Sequence, residues 1–312
     1  MKCKITNKLI KPFMSFGKMP IANGFIEKEN FSKEFFFNME VGFNEELSLF
    51  QLNDHPKPEA MFNKDYPFFT GSSDYMKNHF KEYAKFVEKY LKTNSKIIEI
   101  GSNDGTFLKN FSDKKDHILG IEPSKSVADV AIKNEVPTIN KFFNKENVKD
   151  LKKFLGNTDL ICASNVICHI PDLNNLIESV DILLSKDGTF IFEEPYLGSM
   201  FEKVSYDQIY DEHIFMFSAS SISKIFKRYD FYLVDAIPQI THGGSMRYII
   251  KRKPISGRHE IEKIYDFEKK NKIDSIESCK IFKKNCEISK EKILNKILDF
   301  KGKGKSICGY AA

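Results

Sequence analysis

Three histidines and a handful of acidic and phenolic residues carry the chemistry open to this chain. Tyr210-Asp211-Glu212-His213 is the densest polar cluster. An imidazole beside a carboxylate and a phenol offers a general base, an orienting partner and a proton donor within one turn, although a solvated polar loop uses the same residue types. His169, just before Pro171, is a second imidazole; alone it reads as a structural contact, and its place after a strand end raises a proton-transfer role. A third, His242, lies in Thr241-His242-Gly243-Gly244-Ser245-Met246-Arg247. There Gly-Gly permits close backbone approach and Arg247 is a ready anion clamp; the alternative is a tight hairpin with Arg247 merely exposed.

These residues need a scaffold, and the organising stretch is 96–105. An apolar run, Ile97-Ile-Glu-Ile100, meets a loop holding Gly101 and Gly105, and residues 106–111 have helical spacing. Strand, glycine loop and helix open a nucleotide-binding α/β unit in which glycines let a ligand approach the backbone. The spacing is not the dinucleotide Gly-x-Gly-x-x-Gly fingerprint. Strands are expected at 97–100, 117–122, 137–139, 158–164, 188–193, 231–236 and 244–251, with a Lys186-Asp187-Gly188 turn before the fifth. Helices are expected at 75–91, 124–132 (Ser124 as N-cap), 146–154, 173–184 and 220–228. That alternation predicts a mostly parallel sheet with helices on both faces and an antiparallel pair at its end. Ligands in such sheets sit at the carboxyl ends of the strands. Glu122 ends the second strand, where a carboxylate accepts hydrogen bonds from ribose hydroxyls or simply meets solvent. Phe142 and Phe143 follow the third and could flank an adenine or pack in the core.

At 312 residues and 41% hydrophobic, with 29 Phe, the chain can bury a sizeable core. A formal charge of +5 is small beside 48 basic and 43 acidic side chains, and the lysines are spread, which favours a solvated lysine-rich surface over a nucleic-acid patch. No apolar run approaches the roughly 18 residues of a membrane span, and no signal-peptide pattern opens the chain. Six cysteines without Cys-x-x-Cys pairs or a disulfide framework read as reduced thiols in a cytoplasmic protein. The first sixty residues read as irregular, punctuated by Pro12, Gly17, Pro20 and Gly24, with strands open to Phe35-Phe36-Phe37 and Val41. The far end predicts two helices over 261–300 broken near Asp274, then a new first strand over 305–312.

Glu99-x-Gly101-x-x-x-Gly105 resembles the first motif of class I S-adenosylmethionine-dependent methyltransferases. From Met1 to Ala312 the chain resembles the sugar C-methyltransferases acting on nucleotide-linked 4-keto-deoxysugars, on an ordered set of stretches. They are Met19-Pro-Ile-Ala-Asn23, Leu49-Phe-Gln-Leu52, Met61-Phe-Asn-Lys-Asp-Tyr66, Glu99 to Gly105 and Gly120-Ile-Glu-Pro123. Asn165-Val-Ile-Cys-His-Ile-Pro171, Glu194-Pro-Tyr-Leu197, Tyr210 to His213 and Thr241 to Arg247 complete them. The resemblance implies a class I Rossmann-like α/β fold with a mostly parallel seven-stranded sheet. It implies a small lobe over 1–62, the methyltransferase domain over 63–256, and over 257–312 a helical segment with the truncated start of a second α/β domain. S-adenosylmethionine would be the cofactor and S-adenosylhomocysteine the product. Glu99, Gly101, Asn103, Asp104, Gly105, Glu122, Pro123, Phe142, Phe143 and Asn165 would bind it, Asn165 on the methionine part. The substrate would be a nucleotide sugar contacted by Tyr196, His242 and Arg247. His213 would be the base that removes the proton beside the keto group, Tyr210 and Glu212 would position sugar or base, and His169 and Tyr66 would contact the sugar and its enolate oxygen.

Two departures from the family pattern bear on these expectations. The family's N-terminal lobe holds zinc on two Cys-x-x-Cys pairs; here those positions are Cys3, Thr6, Asn44 and Leu47. One thiolate cannot build a four-ligand site, so no metal is expected and aromatic residues are expected to hold the lobe. The family also continues beyond Gly309-Tyr-Ala-Ala312 into a second Rossmann-like domain, which suggests a separate protein supplying the missing half. The alternatives are a sugar O-methyltransferase of surface-polysaccharide biosynthesis and a non-catalytic S-adenosylmethionine-binding remnant.

Overall fold

The computed structural model describes residues 1–255 and 259–309. In chain order come β1 (Pro12–Pro20), β2 (Phe36–Asn44), β3 (Leu49–Leu52), the short α1 (Pro58–Met61) and α2 (Asp74–Val87). β4 (Ile97–Ile100), β5 (Ile118–Ile121), α3 (Lys125–Lys133), β6 (Thr138–Ile139), α4 (Lys145–Leu155), β7 (Thr158–Ser164), α5 (Leu173–Leu183) and β8 (Leu184–Pro195) alternate. α6 (Leu197–Lys203), β9 (Phe215–Met216), α7 (Ala219–Lys227), β10 (Tyr232–Gln239), β11 (Ser245–Lys251), α8 (His259–Lys270) and α9 (Ile276–Gly302) follow.

The main sheet has seven strands in the order β10-β11-β8-β7-β4-β5-β6. β6, β5, β4, β7 and β8 run parallel, and β11 and β10 close the sheet antiparallel. A strand buried on both faces is mostly apolar, and β4 is buried throughout and apolar except for Glu99. Its alternate side chains feed two cores: Ile98 and Ile100 meet Leu119, Ile121 and Phe192 on one face, and Ile97 meets Tyr83, Phe107 and Leu160 on the other. Burying a side chain such as Phe190 or Phe192 contributes about 1.5–3 kcal/mol. The chain runs outward from β4 to β6, then jumps back to β7, so the switch in strand order falls between β4 and β7.

The N-terminal region is more regular than its prolines and glycines suggest. β1, β2, β3 and β9 form a four-stranded antiparallel sheet. Pro12 and Pro20 bound β1, and Gly17 takes positive φ within the register shift between Ser15 and Lys18, so the breakers mark ends and a bulge. The last strand, β9, comes from far along the chain, directly after Tyr210–His213, and pairs with β3. Phe13, Phe50, Phe201 and Phe282 form a ring-to-ring series joining this sheet to α6 and α9. Cys3, Thr6, Asn44 and Leu47 converge nearby: Asn44 donates to Thr6 Oγ1 at 3.4 Å and accepts from Leu47 N at 2.9 Å. Cys3 is buried with Leu47.

Four local expectations are corrected. The Lys186-Asp187-Gly188 turn is absorbed into β8, where residues 185–188 stand against Asp159 of β7 alone, an irregularity in the strand rather than a chain reversal. Ser124 stands at the N-cap of α3, but its hydroxyl makes no capping hydrogen bond, and its own amide donates to the Glu122 carboxylate. The glycine loop runs into a kinked 3-10 stretch, Leu108–His117, not an α-helix. Residues 305–309 form no strand and are exposed; 310–312 lie outside the described residues. The two terminal helices form as expected, parted between Lys270 and Ile276. Among the described residues no helix is long and apolar enough to cross a membrane.

Candidate active site

The carboxyl ends of β4, β5, β6 and β7 open into a cavity of about 530 Å³, within the usual range of roughly 300–1,000 Å³ for small-molecule sites. Gly101, Asn103, Glu122, Pro123, Phe142, Phe143 and Asn165 line it from the sheet side. Tyr66, His169, Tyr210, Glu212, His213 and His242 line it from the opposite side, with Asn23, Phe62 and Phe68 from the N-terminal segments. A larger open depression of about 850 Å³ sits at the amino ends of β4 and β5 among Lys92, Lys114 and Lys115, away from all of these groups.

Strand ends and loop turns set the sheet side. Glu122 is buried; its Oε2 accepts from Asn103 N at 2.9 Å and its Oε1 from Ser124 N at 2.7 Å. Burial raises its pKa, partly offset by these two amides. Asn103 and Asp104 work on the protein itself. Asn103 Oδ1 accepts from Thr70 N at 3.0 Å and Asp104 Oδ2 from Gly71 N at 2.7 Å, which fastens segment 68–71 over the cavity. The glycines too serve packing: a Cβ at Gly101 would sit 2.3 Å from Val166 Cγ2, and one at Gly105 2.9 Å from Val136 Cγ2, both at positive φ. Gly101 lines the cavity, whereas Glu99, Asp104 and Gly105 do not. Glu99 lies beneath the loop, its Oε2 without a hydrogen-bond partner, and burial raises its pKa well above the usual range.

Opposite stands an aromatic stack. Phe62 stacks on His169 at 5.5 Å between ring centroids, His169 on His213 at 5.3 Å, and Tyr210 tilts against His213 at 4.3 Å. His213 Nδ1 donates to the Gln208 carbonyl at 2.7 Å, which leaves Nε2 unprotonated, 3.2 Å from the Tyr210 hydroxyl. Burial pushes the His213 pKa down to about 4. Burial also lowers that of His169 well below the usual imidazole range, with His213 adding to the effect, and His169 Nε2 has no partner. Glu212 Oε1 accepts from Asn23 Nδ2 at 2.5 Å and Oε2 from the Tyr66 hydroxyl at 3.5 Å. Burial raises Glu212 to about 7. Tyr210–His213 is held in place because the next residues become β9.

Two expected substrate contacts lie elsewhere. Arg247 is buried on β11, directly across from Glu193 of β8; its Nε and a terminal nitrogen contact Glu193 Oε1 at 2.6 and 2.5 Å. Its guanidinium lies between the rings of Tyr83 and Phe86. It is therefore consumed by a buried ion pair and does not reach the cavity. Tyr196 is likewise buried, its hydroxyl donating to Glu268 of α8 at 3.0 Å.

Three residues escaped the sequence reading. Asn23 and Phe62 lie inside the stretches that carry the resemblance, as a polar residue in an apolar strap and an aromatic next to Met61. Glu194 neighbours Glu193 but faces the other side of the sheet, and its Oε1 accepts from Val166 N and Ile167 N at 3.0 and 2.7 Å. It thereby fixes the turn that carries Asn165 and His169.

A methyltransferase domain family matches residues 75–236. A C-methyltransferase C-terminal domain family matches residues 240–312, and a zinc binding domain family residues 3–62. The chain is 25% identical over 306 residues to C-methyltransferase NovU of Streptomyces niveus, covering 96% of this chain and 72% of that protein. It is 26% identical over 159 residues to a carboxy-S-adenosyl-L-methionine synthase of Nautilia profundicola, covering 49% of this chain and 64% of the other. Among solved structures, an S-adenosylmethionine-dependent methyltransferase of Clostridium acetobutylicum aligns over 58% of this chain and 93% of its own, at 14% identity and a TM-score of 0.45.

Proposed function

The chain belongs to the S-adenosylmethionine-dependent methyltransferases of the C-methyltransferase type, and from that premise we propose that it methylates a carbon of a nucleotide-linked 4-keto-deoxysugar through an enolate. One observation carries the reading. A buried imidazole with its Nδ1 tied to a carbonyl and its Nε2 unprotonated shares a cavity with a strand-end carboxylate and a glycine loop.

The residues present fit S-adenosylmethionine. Glu122 keeps acceptor capacity for a ribose diol after serving two backbone amides. Pro123, Phe142 and Phe143 offer apolar flanks for a purine. No α-helix starts at the glycine loop, so the phosphate site of dinucleotide folds is absent there, as suits a cofactor without phosphate. When bound, the cofactor supplies a methyl group on a sulfonium, an electrophile that needs a carbanion-like partner. His213 would generate that partner. Its Nε2 would accept the proton from the carbon beside the ketone and the C–H electron pair would form the enolate; that carbon would then bond the methyl group as the methyl–sulfur bond breaks, the bonding pair staying on sulfur as a neutral thioether. Burial keeps His213 neutral before the step, as a base must be. Tyr66 and Tyr210 hydroxyls would steady the enolate oxygen. Glu212, close to neutrality in its titration, would balance the imidazolium that forms.

The test is incubation with S-adenosylmethionine and a panel of nucleotide-linked keto sugars, followed by mass and by the linkage of the new methyl group. A carbon-bound methyl on a keto sugar is the expected product. An oxygen-bound methyl would replace this reading with the O-methyltransferase one, and no transfer to any sugar would remove it.

A further inference from the structure

On the far side of the switch point from Glu122, the cavity ends at two residues that meet side chain to side chain. Asn165 follows β7, and His242 sits at the tip of the hairpin between β10 and β11. Asn165 Nδ2 lies 3.0 Å from His242 Nε2. Both hold left-handed backbone, with φ of 54° and 49°, a conformation that non-glycine residues keep only where surroundings enforce it. The surroundings are visible: Lys203 Nζ donates to the Gly243 carbonyl at 2.5 Å, and Gly244 N donates to the Thr241 carbonyl at 2.8 Å. The hairpin tip is thus built to present His242 at this spot.

The pair has a defined hydrogen-bonding sense. An amide nitrogen only donates, so His242 Nε2 accepts and the ring proton rests on Nδ1. Asn165 Oδ1 has no partner in the protein. His242 is exposed at the hairpin tip, and the partial desolvation of its ring lowers its pKa, His79 acting in the same direction and Glu193 against it. One N–H donor beside one carbonyl acceptor complements the two charges of an α-amino acid, a carboxylate and an ammonium.

We propose that His242 and Asn165 together read the amino-acid end of the cofactor, His242 donating to its carboxylate and Asn165 accepting from its ammonium, so that His242 serves the cofactor and not the sugar. The inference rests on the assignment of Glu122 to the ribose. With the ribose at the end of β5, the rest of the cofactor must cross Gly101 toward β7, and that path ends at this pair.

Calorimetry with two ligands tests it. S-adenosylhomocysteine and 5′-methylthioadenosine share adenosine and thioether, but the second lacks the amino-acid end. His242→Gly removes the ring and keeps a residue at ease in left-handed backbone. It should weaken S-adenosylhomocysteine binding by about tenfold to a hundredfold, the scale of one hydrogen bond to a charged group. Binding of 5′-methylthioadenosine should be unchanged. Equal weakening of both ligands, or no weakening of either, overturns the proposal. Glu122→Ala separates the underlying assignment, since it should weaken both ligands alike. If it weakens neither, the ribose placement fails and this inference fails with it. If the unaltered protein binds neither ligand, the reading of the cavity as the cofactor site is itself wrong.

Discussion

Two buried clusters in this molecule contain the same kinds of groups and end in opposite states. In the first, Glu193 accepts from His79 Nε2 at 2.6 Å on one oxygen and from Arg247 on the other. Burial alone would raise the Glu193 pKa, but His79 and Arg247 together hold it below the usual carboxylate range. Every charge there has a partner, and the cluster ties α2 to β8 and β11. In the second, Tyr66, His169, Tyr210, Glu212 and His213 surround open space. Burial drives these groups toward neutrality, Glu212 up to about 7 and His213 down to about 4, and His169 Nε2 is left unpartnered. A closed ionic set stabilises geometry. A neutral set with unused donors and acceptors around a cavity holds capacity for a ligand to complete.

The largest effects separate the clusters directly. His213→Ala should cut methyl transfer by about 10²–10⁴-fold, the reach of a positioned general base, while S-adenosylhomocysteine binding persists in calorimetry. Undiminished turnover would place the base elsewhere. Arg247→Ala should act on the fold: it removes one partner of a buried pair and should cost about 3–5 kcal/mol, read from the denaturant midpoint, with KM unchanged. If instead the variant stays stable and KM rises, Arg247 belongs to the site and the contrast fails.

That contrast was only half legible in the chain. Residues next to strand ends, such as Glu122 and Asn165, could be placed because apolar period and turn residues mark where a strand stops. β4 and β7 fall where the spacing puts them. Arg247 could not be placed, since its partner Glu193 is 54 residues away and is met only through antiparallel register. The N-terminal sheet was hidden for a similar reason. Its fourth strand is two residues long and comes from the far half of the chain, too short to show a period. Asn23 and Glu194 were invisible as functional residues because a lone polar side chain declares its role only through the group it touches.

A smaller effect tests whether burial holds His213 neutral. Its ordinary value is 6.5 and its folded value about 4. Between those values the unfolded chain holds a proton that the folded chain lacks, so acidification through that window favours unfolding. The cost from this one group should reach about 2 kcal/mol at pH near 5. Denaturant unfolding of His213→Ala and the unaltered protein, at neutral pH and near pH 5, should show the difference between them shifting by that amount in favour of the variant. Other groups titrate in both proteins and cancel in the comparison. An unshifted difference would mean that the imidazole is hydrated, which would undo the claim of a neutral cluster.

The finest test concerns Asn23. Its amide donates to Glu212 Oε1, and that hydrogen bond lowers a pKa that burial has raised to about 7. Asn23→Ala removes the opposing contribution, so Glu212 should hold its proton to higher pH. Losing a hydrogen bond of about 1 kcal/mol should move the corresponding limb of the pH–rate profile upward by roughly 0.7 units. Substitutions in the closed cluster around Glu193, which lies outside the cavity, should leave that limb where it is. If the limb stays fixed in Asn23→Ala, the group titrating in turnover is not Glu212, and the balance of charge around His213 must come from a tyrosine instead.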